Sequence, residues 1–139
     1  MSAELPGVDR SSSSAFVAAT GLDVGEASGT RVTGTVALGP DHHTPWGVVH
    51  GGVYCAVVES AASIGASLAV ADRGQFAVGV NNSTDFLRPV TAGRLDVVAE
   101  PVQQGRTLQL WTVQLTRPED GKLVARGQVR LQNVPLPGA

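Results

Sequence analysis

One long run of mostly small and apolar residues, positions 50–72, limits the folds that this chain can adopt. The run contains no proline and is far too long for a strand, so it predicts a helix, and Gly74 is the expected terminator. Alanine, serine and glycine occur nearly all round this helix, which is typical of a helix embedded close to other main chain. We therefore expect one long central helix with the rest of the chain around it.

Segments rich in alternating β-branched residues flank this helix and predict a sheet. Before the strands, Ser14 caps a predicted short helix over 15–20, and Gly39–Gly47 is predicted to be a loop. The predicted strands cover about 22–28, 30–38, 75–87, 93–103, 106–117 and 122–133. One antiparallel sheet of about six strands needs its apolar face covered, and one central helix can cover it. The sequence thus predicts an α+β fold.

Composition restricts the domain count and the partners. The chain has 139 residues, and we expect a single domain over 14–139 after a flexible, serine-rich segment over 1–13. The net charge is −2, so no basic excess is available to bind a phosphate backbone, and we expect no nucleic-acid partner. The longest apolar stretch, 61–71, is interrupted by serine and glycine and is too short for a bilayer, so we expect no membrane association.

Cysteine content points to the compartment. Cys55 is the single cysteine, which excludes an intrachain disulfide and fits a reducing environment. The amino-terminal residues lack the apolar core of a signal peptide. We therefore expect a cytoplasmic protein, with Cys55 as a small buried core thiol.

Two features at the start of the central helix break local rules. A glycine pair, Gly51-Gly52, follows His50, although glycine weakens helices. Glu59 is the lone glutamate in an otherwise mostly small or apolar run, and no lysine or arginine occurs between Ala37 and Ala71 to pair with it locally. Local rules usually fail where function overrides them, so this region is a candidate site.

These residues suit reactions at a carbonyl group. The first N–H groups of a helix lack partners and carry a partial positive charge, so they can stabilise an oxyanion, and glycine lets a substrate approach them closely. A carboxylate such as Glu59 can act as a general base or as a nucleophile. Ser63 lies four residues later on the same helix face, where its hydroxyl can hydrogen-bond that carboxylate.

The segment "WGVVHGGVYCAVVES", followed by "FLRPV" and "GRT", resembles the hotdog-fold acyl-CoA thioesterases. Within them it is most similar to the branch of the phenylacetate-pathway and 4-hydroxybenzoyl-CoA thioesterases, over roughly residues 30–132. The resemblance implies a sheet wrapped around the helix, and at least a homodimer, with one continuous sheet across two subunits, and further a homotetramer. It implies hydrolysis of an aryl or medium-chain acyl-CoA without a metal or other cofactor.

The resemblance also implies roles for individual residues. The N–H of Gly51 corresponds to the oxyanion donor, Glu59 to the catalytic carboxylate and Ser63 to its support. Thr44 stands where the family often has Asn or Gln, and His50 begins the helix beside these groups. The residues that correspond to the contacts with the nucleotide phosphates of CoA are Arg88, Arg106 and Thr107.

One distance decides how such a site is assembled. Gly51 and Glu59 are eight residues apart, which is about 12 Å along a helix. One thioester carbonyl cannot touch both groups of the same chain. Two antiparallel helices from different subunits can bring the amino terminus of one beside the middle of the other, so we expect a site shared between subunits.

Other interpretations remain open on the sequence alone. His42, His43 and His50 with Glu59 lack the spacing of known metal sites. A hotdog dehydratase or hydratase usually needs a histidine base paired with a carboxylate, and a non-catalytic acyl-CoA-binding protein would not need Glu59. Tryptophans 46 and 111 are expected as core or interface anchors, and Arg126 and Arg130 as members of a solvated sheet face.

Overall fold

The protein folds as one six-stranded antiparallel sheet around a 20-residue helix. The computed structural model describes residues 14–138, so the predicted flexible segment 1–13 lies outside the described residues. The elements are α1 (Ala15–Ala19), β1 (Leu22–Ala27), β2 (Val32–Leu38), α2 (Gly51–Val70), β3 (Gln75–Phe86), β4 (Gly93–Gln104), β5 (Leu108–Thr116) and β6 (Leu123–Pro135). Single 3₁₀ turns precede and follow α2, at Pro40–His42 and Ala71–Arg73.

The strand order in the sheet differs from the order along the chain. The order is β1-β2-β4-β5-β6-β3, and every neighbouring pair is antiparallel. Strand β3, which follows α2 directly, therefore lies at one edge beside the last strand. Its outer edge has no hydrogen-bonded strand among residues 14–138, and Val78 and Val80 on it are 41% and 53% exposed. An unpaired edge of this kind is a ready template for another strand.

Small residues let α2 lie close to the concave face of the sheet. A side chain at Gly65 would overlap the indole of Trp111, which is fully buried on β5. A Cβ at Gly29, in the turn between β1 and β2, would lie 2.8 Å from the Cα of Ala69. Helix and sheet share one core of buried residues, which confirms the prediction of an embedded central helix. By length and apolar composition alone α2 could span a bilayer, but it is the core helix of this fold.

The predicted elements agree with the structure to within a few residues at their ends. Ser14 caps α1 by accepting a hydrogen bond from the N–H of Val17, and Gly74 ends the helical segment with a left-handed φ of 66°. Arg126 and Arg130 are exposed on β6, as expected for a solvated face. Trp46 is 85% exposed and is no part of the core of this chain, unlike Trp111.

Candidate active site

The amino terminus of α2 presents one open hydrogen-bond donor. The Nδ1 atom of His50, the N-cap residue, accepts from the N–H of Gly52 at 2.8 Å, and the carbonyl oxygen of His50 accepts from the N–H of Val53 at 3.0 Å. The N–H of Gly51 has no partner among residues 14–138. The helix therefore points a single open N–H away from its end, as an oxyanion donor requires.

Histidine 50 begins the helix, as expected, and the structure shows that its ring caps α2. Because its Nδ1 accepts a hydrogen bond, a neutral ring carries its proton on Nε2. The N–H of His50 donates to the carbonyl oxygen of His42 at 2.8 Å, and the N–H of Val49 donates to that of Val90 at 2.9 Å. These bonds attach the start of α2 to the preceding loop and to the segment after β3, so the open N–H has a fixed direction.

A cleft of about 250 Å³ opens beside this donor. Its lining is mostly apolar and comprises Val48, Val49, Gly51, Tyr54, Phe86, Leu87, Arg88 and Pro89. The Phe86 ring lies so close to Gly51 that a Cβ there would overlap it unless this half-exposed ring turned aside. Burial raises the pKa of Tyr54, whose hydroxyl has no partner within residues 14–138, so Tyr54 stays neutral in the wall of this cleft.

Glu59 lies against the edge strand β3 and is held by an amide. The Nδ2 group of Asn82 donates to Oε1 of Glu59 at 3.1 Å and to the carbonyl oxygen of Cys55 at 3.0 Å. The other carboxylate oxygen, Oε2, lies over Gly79, where a Cβ would overlap it. None of the salt bridges within residues 14–138 involves Glu59, so its described partner is neutral.

The predicted hydrogen bond between Ser63 and the Glu59 carboxylate is wrong for the described chain. The Ser63 hydroxyl donates instead to the main-chain carbonyl oxygen of Glu59 at 2.6 Å. A hydroxyl one turn later on a helix readily reaches the carbonyl four residues back, and this bond competes with the longer reach to the carboxylate. Asn82, from a different element, makes the contact that the sequence assigned to Ser63.

Thr44 belongs to the turn that precedes α2. Its hydroxyl oxygen accepts from the N–H of Trp46 at 3.2 Å, and its own N–H donates to the carbonyl oxygen of Val48 at 2.7 Å. Gly47, inside this turn, has a φ of 80° and so occupies the left-handed region that favours glycine. In the described chain Thr44 therefore stabilises the turn that leads into α2.

The predicted CoA-binding residues do not lie together within one chain. Arg88 lines the cleft beside Gly51 and donates to the carbonyl oxygen of Leu123 at 3.0 Å. Arg106 and Thr107 lie in the β4–β5 turn, where their carbonyl oxygens accept from Asn133. Asn133 in turn accepts from Gln109, which also donates to the carbonyl oxygen of Ala66 near the carboxyl end of α2.

Two further arginines lie near Arg88, and the sequence did not single them out. A second cleft, of about 330 Å³, shares Val48 and Pro89 with the first and is also lined by Arg94 and Arg117. Asp120 binds the Arg117 guanidinium with two hydrogen bonds, which together with the Lys122 N–H lower the pKa of Asp120 to about 2. The clefts thus run from the open N–H of Gly51 towards a rim that carries Arg88, Arg94 and Arg117, the last paired with Asp120 and lying beside Glu119.

The histidines and Cys55 do not form a further reactive site within residues 14–138. Within residues 14–138, no three His, Cys, Asp or Glu side chains lie close enough together to hold a metal ion. Cys55 is a free cysteine but is only partly buried, so the prediction of a small buried core thiol is wrong. Its carbonyl oxygen, which accepts from Asn82, takes part in holding the Glu59 side chain.

Sequence reasoning missed the residues on β3 that face Glu59. Asn82 and Gly79 lie in the predicted strand 75–87, and nothing in the local sequence shows which residues of that strand face the helix. The available signal was the isolation of Glu59: a carboxylate without a local cation needs another donor, and amide side chains occur on the strand that follows the helix. Which of two adjacent asparagines supplies it depends on an irregularity of β3 that the sequence does not reveal.

Comparisons with known proteins show which family the chain belongs to. Residues 47–124 match the family model described as the thioesterase superfamily. The 1,4-dihydroxy-2-naphthoyl-CoA thioesterase 2 of Arabidopsis thaliana is 34% identical over 121 residues, which cover 81% of this chain and 75% of that protein. The segment that matches the family model contains both Gly51 and Glu59.

A bacterial relative and two solved structures extend the likeness. The Mycobacterium tuberculosis protein Rv1847 is 52% identical over 90 residues, which are 63% of this chain and 64% of that relative's length. Its structure superposes with a TM-score of 0.83 at 42% identity, covering 87% of this chain and 97% of that one. The Haemophilus influenzae thioesterase HI1161 gives a TM-score of 0.84 at 26% identity, covering 99% and 94%. This chain belongs to the thioesterase superfamily and has its hotdog fold.

Proposed function

We propose that this protein hydrolyses an acyl-CoA thioester to the free acid and CoA. The observation that carries the proposal is an open N–H and a fixed carboxylate that both lie along the β3 edge of the sheet. The open N–H of Gly51 lies at an apolar cleft, and the Glu59 carboxylate is held by Asn82 over Gly79. An oxyanion donor and a carboxylate are the two groups that thioester hydrolysis needs.

The reaction proceeds at the thioester carbonyl. The carbonyl oxygen accepts the Gly51 N–H, which stabilises the negative charge that develops there. Glu59 either removes a proton from the attacking water or attacks the carbonyl carbon itself to form an anhydride that water then hydrolyses. The C–S bond breaks, and CoA leaves as the thiolate.

Each site takes its two groups from different subunits of a homodimer. Gly51 contacts Phe86 near one end of β3, whereas Glu59 lies over Gly79 and beside Asn82 further back along the same edge. Antiparallel pairing of two β3 edges about a twofold axis near 83–84 would place Phe86 of one chain close to Asn82 of the other. The open N–H and the partner's carboxylate would then meet, although they lie about 12 Å apart along one helix.

The acyl group occupies the apolar cleft beside Gly51. Its walls include Val48, Val49, Phe86 and Leu87, which suit an aryl ring or a medium-length alkyl chain. The Arabidopsis relative bears the name of an aryl-CoA thioesterase, and this favours an aryl acyl group. An acyl-CoA substrate and the free thiol of Cys55 both suit a cytoplasmic location.

The nucleotide part of CoA extends along the arginine-lined rim. Arg88 binds phosphate from the subunit that supplies Gly51. With antiparallel helices, the carboxyl half of the partner's α2 lies beside this rim, so the partner subunit's Arg106 and Thr107 complete the phosphate site. Two such dimers form a homotetramer in this proposal.

The activity is tested by measuring CoA release with a thiol reagent from a panel of acyl-CoAs. We expect turnover of benzoyl- and naphthoyl-CoA above that of acetyl-CoA, because the cleft offers apolar surface that an acetyl group leaves empty. Binding of acyl-CoA by calorimetry without CoA release would contradict the proposal and favour a non-catalytic acyl-CoA-binding protein. Hydration of an enoyl-CoA in place of hydrolysis would favour a hotdog hydratase.

Arg88→Ala is expected to raise KM for an aryl-CoA about 3- to 10-fold and to change kcat little. The phosphates lie far from the carbonyl and bind equally in ground and transition states, so their loss weakens binding without slowing the chemistry. The same substitution should leave KM for an aryl N-acetylcysteamine thioester, which lacks the nucleotide, near the parental value. An equal rise in KM on both substrates would show that Arg88 acts through the structure of the cleft.

A further inference from the structure

We infer that Asn82 is a positioning residue that holds the Glu59 carboxylate for reaction, and that Gly79 provides the space in which the carboxylate lies. This inference rests on the proposed function, since it gives the carboxylate its catalytic orientation. The sequence and the family resemblance assign no role to either residue.

The hydrogen bonds of Asn82 fix which end of its amide faces Glu59. The carbonyl oxygen of Cys55 can only accept, so the Asn82 group 3.0 Å from it must be the NH₂ group. The Thr84 hydroxyl donates to the other end, Oδ1, at 2.7 Å. The second N–H of the same NH₂ group is then directed to Oε1 of Glu59 at 3.1 Å. The amide therefore presents a donor to the carboxylate, and turning it over would lose the bonds to Cys55 and Glu59, since only the Thr84 hydroxyl can accept as well as donate.

A β-bulge in the edge strand makes this contact possible. Gly79 pairs with Leu131 of β6 and Asn82 with Val129, both of which are buried against the helix side. The register shifts between Gly79 and Asn81, so Val80 and Asn81 together lie opposite the exposed Arg130. Regular alternation from Gly79 would point Asn82 to the solvent side, because successive strand residues face opposite ways. The extra residue turns Asn82 inward instead.

Gly79 leaves space for the carboxylate on the side opposite Asn82. A Cβ at this position would overlap Oε2 of Glu59, so the absence of a side chain is what admits the carboxylate. Gly79 does not have a positive φ, so the backbone would tolerate alanine there. With Oε1 bonded to Asn82 and Oε2 above Gly79, the Glu59 side chain has one preferred orientation.

Asn82→Asp tests the inference because it keeps the shape of the side chain and replaces the donor with an acceptor. We expect kcat on an aryl-CoA to fall about 10- to 100-fold with KM within about threefold, since a hydrogen bond to a charged group is lost and like charges then face each other. Gln114→Glu is the control: it makes the same amide-to-carboxylate change at an exposed residue of β5, away from the β3 edge, and should keep parental kcat and KM.

A second readout does not depend on turnover. Asn82→Asp should lower Tm by about 5 °C in the parental chain but by much less in a Glu59→Gln background, where the new amide on the helix can donate to the new carboxylate on β3. The lost bond to Cys55 is common to both backgrounds and cancels in the comparison. Equal Tm losses in both backgrounds, or parental kcat in Asn82→Asp, would overturn the inference. Absence of CoA release by the parental chain would instead refute the proposed function, while the coupling in Tm is still measured.

Gly79→Ala tests whether the missing side chain at this position makes room for the Glu59 carboxylate. We expect it to reduce kcat at least about tenfold, because the added methyl group displaces the carboxylate from its position. Combined with Glu59→Ala, the same methyl group meets no carboxylate, so the Tm loss caused by Gly79→Ala should disappear in that background. A Tm loss of the same size in both backgrounds would show that Gly79 serves the strand and not the carboxylate.

Discussion

Glu59→Gln is expected to reduce kcat by at least about 10³-fold while KM for acyl-CoA stays near the parental value. An amide can neither take up a proton from water nor form an anhydride, so both routes open to Glu59 are lost. The substitution should preserve the fold, because the oxygen of the new amide can still accept from Asn82 and its nitrogen fits the space above Gly79. Steady-state kinetics together with calorimetric binding of the substrate measure both quantities.

Glu26→Gln is the matched control for this result. It makes the same change on β1, at an exposed residue outside the site, and should retain parental kinetics. Hydrolysis by the Glu59→Gln variant at more than about a tenth of the parental rate would exclude Glu59 as base or nucleophile. The carboxylate over Gly79 would then be a structural group.

The fold could be predicted from the sequence because its strongest signals are local. The proline-free run at 50–72 and the alternating segments around it are periodic patterns, and each turn carries its own glycine or proline. Strand order is a non-local property, and no local signal placed β3 at the edge beside β6. In the proposed shared site that edge position matters most, because it would put Glu59 and Gly51 where a second chain can reach them.

The site could be predicted only where its residues are close in the chain. His50, Gly51 and Glu59 lie together at the start and middle of α2, and the family resemblance added their roles. The support for Glu59 was assigned to Ser63 on that same helix, whereas the described contact comes from Asn82, 23 residues further along. A bulge decides which of two adjacent asparagines faces inward, and such an irregularity depends on strand pairing that the sequence does not display.

A pair of inactive variants makes the shared site testable. Gly51→Pro removes the open N–H, and the local backbone suits it: Gly51 is the first helical residue, and His50 has the extended conformation that precedes proline. The added ring meets Phe86, which is 53% exposed and free to turn aside. Gly51→Ala brings the same Cβ and keeps the N–H, so we expect it to retain at least about tenfold more activity than Gly51→Pro.

The most direct test is to refold Gly51→Pro and Glu59→Ala chains together in equal amounts and measure CoA release. Random pairing makes about half of the dimers mixed. In a mixed dimer one site receives the intact Gly51 of one chain and the intact Glu59 of the other, while the second site receives both defects. Activity should therefore rise from near zero to about a quarter of the parental value if the sites act independently. A mixture no more active than either variant, with mixed dimers confirmed by native mass spectrometry, would contradict a site shared between subunits.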